Sequence, residues 1–176
     1  MDMPASSFVT FTTALGRCAI RWSEAGISGV FLPQRGGLAG PGDRLPFEVP
    51  PFVRQAIDGI VGVMASEPRD LRGAVLDERG IDPFRRLVYA ATREIAPGTT
   101  KSYGEVARAI GRPHGARDVG AALARNPFPI IVPCHRVIAA NGALTGFSAP
   151  GGLETKRRML ELEGAPGYGQ QVLFGP

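Results

Sequence analysis

The spacing of apolar residues changes midway along this chain, and that change limits its fold more than any other feature. Residues 8–13, 18–22 and 27–32 are short runs rich in β-branched and aromatic residues, separated by turns at Leu15-Gly16-Arg17 and Ser23-Glu24-Ala25-Gly26. Links this short predict an antiparallel meander. A Gly/Pro-rich loop occupies 33–51. Val53, Ala56, Ile57, Ile60, Val61 and Met64 then recur at spacings of three and four, which predicts a helix over about 51–65. Residues 71–76 read as a last strand, and Asp77-Glu78-Arg79-Gly80 as a boundary.

Beyond that boundary the pattern is helical. Asp82 predicts an N-cap with Pro83 at the first helical position, and Phe84, Leu87, Val88, Ala91 and Ile95 give a stripe that ends at Pro97-Gly98. Ser102 with Glu105 three residues on predicts a capping box, opening a short helix that stops at Gly111-Arg112-Pro113. A third helix follows over about 115–125, broken by Asn126-Pro127. Two short helices around a Gly-containing turn make a helix-turn-helix pattern. Residues 129–137 read as an extended apolar segment, Asn141-Gly142 as a turn, 146–152 as a glycine-rich loop and 153–162 as a final helix, with a fraying tail over 166–176. The fold class expected is mixed α/β (α+β): a small N-terminal antiparallel sheet with one helix over 1–80, and a mainly helical, winged-helix-like domain over 81–176.

Charge divides at the same boundary. Residues 1–80 hold 8 Arg and 9 acids, whereas residues 81–176 hold 10 Arg and 2 Lys against 7 acids. A basic half beside a near-neutral half is the footprint of a polyanion-binding module on a support. No apolar run approaches the roughly 20 residues of a membrane span. The first residues lack a basic segment followed by an apolar one, so no export signal is expected and the cytoplasm is the default compartment. The 2 Cys and 2 His are spaced as in no common zinc pattern, and a disulfide scaffold is excluded. No metal and no cofactor are expected.

Chemistry concentrates at Cys134-His135-Arg136. A reactive thiol must become thiolate, from an ordinary pKa of about 8.5. An imidazole held by a carboxylate is the usual base. In a strand, neighbouring side chains face opposite ways, so Cys134 and His135 would meet only across a bend or through one water. Arg136 would favour the thiolate and attract a phosphate backbone. Buried cysteine is also a common packing residue. A Cys-His protease would place its histidine far away in sequence, which this chain does not.

The run Pro133-Cys134-His135-Arg136-Val137 resembles the active-site signature of the O6-alkylguanine-DNA alkyltransferases (methylated-DNA–protein-cysteine methyltransferases). Ser102-Tyr103-Gly104-Glu105-Val106-Ala107, Ala116-Arg117-Asp118-Val119-Gly120, Asn126-Pro127-Phe128-Pro129-Ile130, Gly151-Gly152-Leu153 with Lys156, and Leu162-Glu163-Gly164 occur in family order, so the resemblance covers roughly 81–165. It implies direct DNA repair. A guanine alkylated on O6 is flipped out of duplex DNA, and the cysteine takes the alkyl group irreversibly, once per molecule.

The resemblance also implies roles. Cys134 is the acceptor, His135 its base through water, Glu163 the carboxylate that orients the imidazole, and Asn126 the residue that positions the Cys segment. Tyr103 donates a proton to the leaving guanine. Arg117 enters the stack in place of the flipped base, and the second helix of the helix-turn-helix lies in the minor groove, so Ala116, Gly120, Arg125, Tyr103 and Arg136 are expected at the DNA. Val137, Phe147 and Ser148 are expected to line the substrate pocket. The expected partner is double-stranded DNA, bound by a monomer and without any membrane.

Two departures stand out. Asp118 replaces a small apolar residue beside Arg117 and would repel phosphate, and Ser148-Ala149-Pro150 lengthens the loop before Gly151-Gly152. Two other readings compete. An alkyltransferase-like lesion sensor binds without transfer, but there the acceptor cysteine is replaced. A helix-turn-helix regulator gives the Cys-His-Arg segment no task.

Overall fold

A computed structural model describes residues 7–38 and 49–169. Strands β1 (Ser7–Thr13), β2 (Gly16–Ser23) and β3 (Gly26–Phe31) form an antiparallel meander in the order β1-β2-β3. Register places Val9 beside Ile20 and Ile20 beside Val30, a row of buried aliphatic side chains across the sheet. A register shift at Arg21/Trp22 bends β2 against β3. Helix α1 (Pro51–Met64) packs on all three strands through Val53, Ala56, Ile57, Ile60, Val63 and Met64. Its one-sided apolar pattern, not its propensity, fixes its place. Part of the 33–51 loop, including Pro41-Gly42, and the tail from residue 170 lie outside the described residues.

The expected strand over 71–76 does not form. Only Leu76 bridges Ile27, in parallel sense, with Ile27 N donating to the Val75 carbonyl and Asp77 N to the Ile27 carbonyl. The carbonyls of Leu71, Arg72 and Ala74 accept instead from the Arg93 guanidinium, which replaces a ladder with one side chain. A second expectation also changes. Helix α2 (Pro83–Arg93) leaves Leu87 55% exposed and buries Val88, Tyr89 and Thr92. Tyr89 is fully buried because its hydroxyl donates to the Ala122 carbonyl at 3.0 Å. Asp82 caps α2 as its sequence requires, but the helix ends at Arg93, short of Pro97-Gly98.

Helix α3 (Tyr103–Ala109) opens on the full Ser102–Glu105 capping box. A turn ending at Gly115 leads to α4 (Ala116–Ala124), which packs on both α2 and α3. A two-residue parallel pair, β4 (Lys101–Ser102) with β5 (Val137–Ile138), ties the entry of α3 to the chain just beyond Cys134. Helix α5 (Gly152–Leu162) buries Lys156, Met159 and Leu160 and packs against the Cys134–Arg136 turn. One buried cluster runs from Val9 in the sheet through Phe128 and Val132 to Met159. No described helix is long and apolar enough to cross a membrane.

Candidate active site

The segment expected to be extended is a coil ending in a 3₁₀ turn, Cys134–Arg136. Ile130 has φ 73°, rare for a β-branched residue, and this reverses the chain before Val132. The Val132 amide then donates to the Phe128 carbonyl and the Arg136 amide to the Pro133 carbonyl. With three residues per turn, neighbouring side chains diverge by about 120° instead of 180°. Cys134 and His135 therefore need no further bend to share a neighbourhood.

Asn126 braces this loop. Its Oδ1 accepts from Phe128 N at 2.9 Å, and its Nδ2 donates to the Val132 carbonyl at 2.8 Å and to Cys134 Sγ at 3.3 Å. On the other side, His135 and the Glu163 side chain are fully buried, with Nε2 2.8 Å from Oε1. Arg136 closes the cluster: its Nε and Nη2 bond Glu163 at 2.9 and 2.7 Å, and its Nη1 donates to the Ile95 carbonyl. Arg136 was expected at a phosphate. It is 4% exposed with its guanidinium on Glu163 and Ile95, so that expectation is corrected. Its charge is balanced locally, and its task is to hold the carboxylate.

These contacts set protonation. Burial alone would raise the Glu163 carboxyl, but its bonds to His135 and Arg136 and the Arg136 charge hold it at about 2, so it is ionised. An ionised carboxylate accepts, so His135 Nε2 carries the proton and Nδ1 is the basic atom. Nδ1 is buried and without a hydrogen-bond partner among the described residues. Burial lowers the His135 pKa against the pull of Glu163, and burial raises the Cys134 thiol against Asn126 and Lys156. Both groups are neutral at rest. Cys134 therefore rests as the thiol. At pH 8 Cys134 should react with iodoacetamide more slowly than free cysteine, because raising the thiol leaves less of it as thiolate. Trapping as fast as free cysteine would contradict this protonation state.

Lys156, legible in the sequence only as a motif position, is 0% exposed. Its ammonium donates to the Val137 carbonyl at 2.6 Å and the Thr145 carbonyl at 2.9 Å, and lies 3.5 Å from the Tyr103 hydroxyl. It joins the chain after Cys134, the loop before Gly146, and α3. Burial depresses it to about 8, with Cys134 opposing. Lys156→Ala takes a donor from the buried Val137 carbonyl and leaves the Thr145 carbonyl with Tyr103 alone. Thermal unfolding should show a loss of about 2–4 kcal/mol, the cost of weakening a buried acceptor plus lost packing; a change below about 0.5 kcal/mol would remove this bracing role.

Tyr103 donates to the Thr145 carbonyl at 3.0 Å, and burial raises its pKa, keeping the phenol protonated. Its ring lies beside Gly120, where a Cβ would sit 3.8 Å away. On α4, Arg117 and the cap residue Arg125 are exposed, whereas Ala116 and Gly120 are half-buried. Asp118 is exposed beside Arg117. A cavity of about 180 Å³ opens on Cys134 and is bounded by Asn126, Pro129, Phe147, Ser148 and Pro150. Ser148 donates its hydroxyl to the Ala124 carbonyl at 2.7 Å. Val137, expected in the pocket, is fully buried and absent from its wall, because its pairing with Lys101 turns it into the core. No group of three or more metal-ligating side chains exists among the described residues. The second cysteine, Cys18, is buried, and burial raises it to about 11 despite a contact with Thr13.

Comparison with known proteins gives a consistent picture. The family model described as "6-O-methylguanine DNA methyltransferase, DNA binding domain" matches residues 83–165. The methylated-DNA–protein-cysteine methyltransferase of Mycobacterium bovis is 45% identical over 119 residues, 68% of this chain and 70% of that protein. The protein of the same name from Methanosarcina acetivorans is 52% identical over 82 residues, 47% of this chain and 51% of that one. Among solved structures, Mycobacterium tuberculosis OGT in complex with DNA superposes with TM-score 0.70 at 35% identity, covering 90% of this chain and 94% of that one. The O6-methylguanine-DNA methyltransferase of Pyrococcus kodakaraensis superposes at 0.67 with 26% identity, covering 92% and 100%.

Proposed function

This chain belongs to the methylated-DNA–protein-cysteine methyltransferase family, a DNA-binding family of repair enzymes that act by alkyl transfer, and on that premise we propose that Cys134 is the acceptor of an alkyl group from O6 of guanine. The observation that carries this reading is the contact chain Asn126–Cys134 and His135–Glu163–Arg136: a thiol addressed from one side by an amide donor, with its neighbouring imidazole held in one tautomer by a buried, ionised carboxylate.

In this reading His135 Nδ1 takes the thiol proton through a water. Sγ then bonds to the alkyl carbon as the C–O6 bond breaks, and guanine leaves with the electron pair. Tyr103 supplies the proton that guanine needs. To do so its hydroxyl turns away from the Thr145 carbonyl, which stays satisfied by Lys156 at 2.9 Å. The product thioether is stable, so each molecule acts once. Cys134 is 9% exposed at the floor of a cavity, too recessed for a stacked base to reach. That favours a base flipped from the duplex, at a cost of a few kcal/mol of unstacking. Exposed Arg117, at the start of α4, is suited to fill the gap from the minor groove, with Arg125 on phosphate. Residues 81–176 carry binding and transfer, and 1–80 support them.

The test is return of O6-methylguanine to guanine in a duplex oligonucleotide, measured by base composition. Loss of one O6-methylguanine per protein molecule supports the proposal; binding with the lesion left intact favours the sensor reading. Arg117→Ala should slow repair in duplex DNA at least about tenfold more than reaction with the free methylated base, because only the duplex incurs the unstacking cost. Equal losses would remove the flipping role.

A further inference from the structure

We propose that Ser66, just beyond α1, is a positioning residue for the acceptor site: its hydroxyl holds the peptide unit from which Glu163 projects, and so couples the N-terminal half to the His135–Glu163 pair. This rests on the alkyl-transfer reading above.

The last carbonyls of a helix have no partner within it. Beyond α1, α3 and α5 a residue of positive φ turns the chain back, and two following amides close two of those carbonyls. At α3 the turning residue is Gly111, with φ 72°, and at α5 it is Gly164, with φ 69°. At α1 it is Ser66, with φ 65°; its amide donates to the Val63 carbonyl and the Glu67 amide to the Gly62 carbonyl. Glycine takes this conformation without a Cβ penalty, whereas serine is strained in it. Ser66 and Ile130 are the two non-glycine residues of positive φ among the described residues, and Ile130 turns the acceptor loop. Strain kept where glycine would serve points to a use for the side chain. Ser66 is exposed, so packing gives it no other task.

That use lies on α5. Ser66 Oγ donates to the Leu162 carbonyl, 96 positions away. The amides of Glu163, Ala165 and Gly164 close the carbonyls of Met159, Leu160 and Glu161. Of the last four carbonyls of α5, the one these leave open is that of Leu162, and Ser66 takes it. This carbonyl shares a planar peptide unit with the Glu163 amide. Both edges of that plane are therefore tied, one to Ser66 and one to Met159, before the chain reaches the Glu163 Cα. On the far side, the Gly98 amide lies 3.4 Å from Glu163 Oε2, and a Cβ at Gly98 would sit 2.9 Å from the Glu163 carbonyl. Slack at Leu162–Glu163 would pass directly to the 2.8 Å bond between Oε1 and His135 Nε2.

The test follows transfer from O6-methylguanine duplex, thermal melting, and the His135 ring N–H by NMR with isotope-labelled histidine, in the full chain, Ser66→Gly and Ser66→Ala. The chain has 2 His, and His114 is exposed whereas His135 is buried, so the slowly exchanging ring proton is that of His135. Both variants lose the hydroxyl, but glycine relieves the left-handed backbone and alanine does not, so Ser66→Gly should melt above Ser66→Ala. Transfer should nonetheless slow about tenfold in both, because a small misplacement of a group in a site is costly to rate. The His135 ring proton should shift in both. A Ser66→Gly variant whose transfer stays within about twofold of the parent, or whose ring proton does not move, overturns the inference and leaves Ser66 a helix end alone. Should Ser66→Ala fail to fold, Ser66→Gly carries the test by itself. A parent that transfers nothing overturns the alkyl-transfer reading instead, and the ring proton then decides the role of Ser66.

Discussion

Replacing Cys134 by alanine is expected to abolish alkyl uptake, by at least about 10³-fold, while leaving binding to lesion-containing duplex within about threefold of the parent. Among the residues that line the cavity, Cys134 carries the one thiol. The loop that carries it does not depend on it. Asn126 keeps its bonds to Val132 and Phe128, and the Arg136 amide keeps its bond to Pro133. Binding therefore survives on α4, and transfer alone is lost. Filter-binding and rate measurements on one preparation separate the two. Residual transfer above about 1% of the parent rate would mean that another group accepts the alkyl.

The second large effect is at Glu163. Glu163→Gln keeps the shape of the side chain but removes the charge that balances Arg136, in a pocket where both side chains are 5% exposed or less. Leaving a buried guanidinium uncompensated costs about 3–5 kcal/mol. At about 2–4 °C per kcal/mol, melting should fall by roughly 10 °C. The variant also loses its control of the imidazole tautomer. Transfer should slow by about 10²–10⁴-fold, as when other carboxylate–histidine pairs are neutralised. The pH dependence has a definite sign. Glu163 is held at about 2 when folded and would titrate near 4.3 when unfolded. Its stabilisation is complete above the unfolded value and is lost as pH falls through the folded one. Melting of the parent should drop between about pH 4.5 and 2, and this acid limb should flatten in the variant. Equal limbs in both would mean that the ion cluster contributes nothing to stability.

Much of this was readable in one dimension because local signals point one way. The caps at Asp82 and Ser102, the period of α1, and the β-branched runs of the meander each specify their element without tertiary help. The expected strand at 71–76 fails because its carbonyls are taken by Arg93, a partner about twenty residues away. Leu87 and Tyr89 trade places because a hydroxyl finds the Ala122 carbonyl, which no periodicity reveals. The Cys segment was read as extended because a short apolar run does not distinguish strand from buried coil. Its flanking prolines and the left-handed Ile130 decide the matter.

At the site, residue types were legible and their partners were not. Arg136 beside a cysteine reads as phosphate-binding until Glu163, 27 positions on, is seen to hold it. Lys156 stands in the sequence only as a motif position, until three elements are seen to converge on its ammonium. The thiol was expected to be favoured as thiolate, whereas burial outweighs its polar neighbours. That β3 borders the cavity had no sequence signal, because it arises from docking a strand about a hundred residues upstream of Cys134.

Intact-mass and peptide-mass analysis after incubation with excess O6-methylguanine duplex tests the central claim most directly. The account predicts one added methyl per chain, located on Cys134, with uptake stopping at that stoichiometry. An unmodified Cys134 after the lesion DNA has been bound, or a methyl found on any other residue, would contradict it.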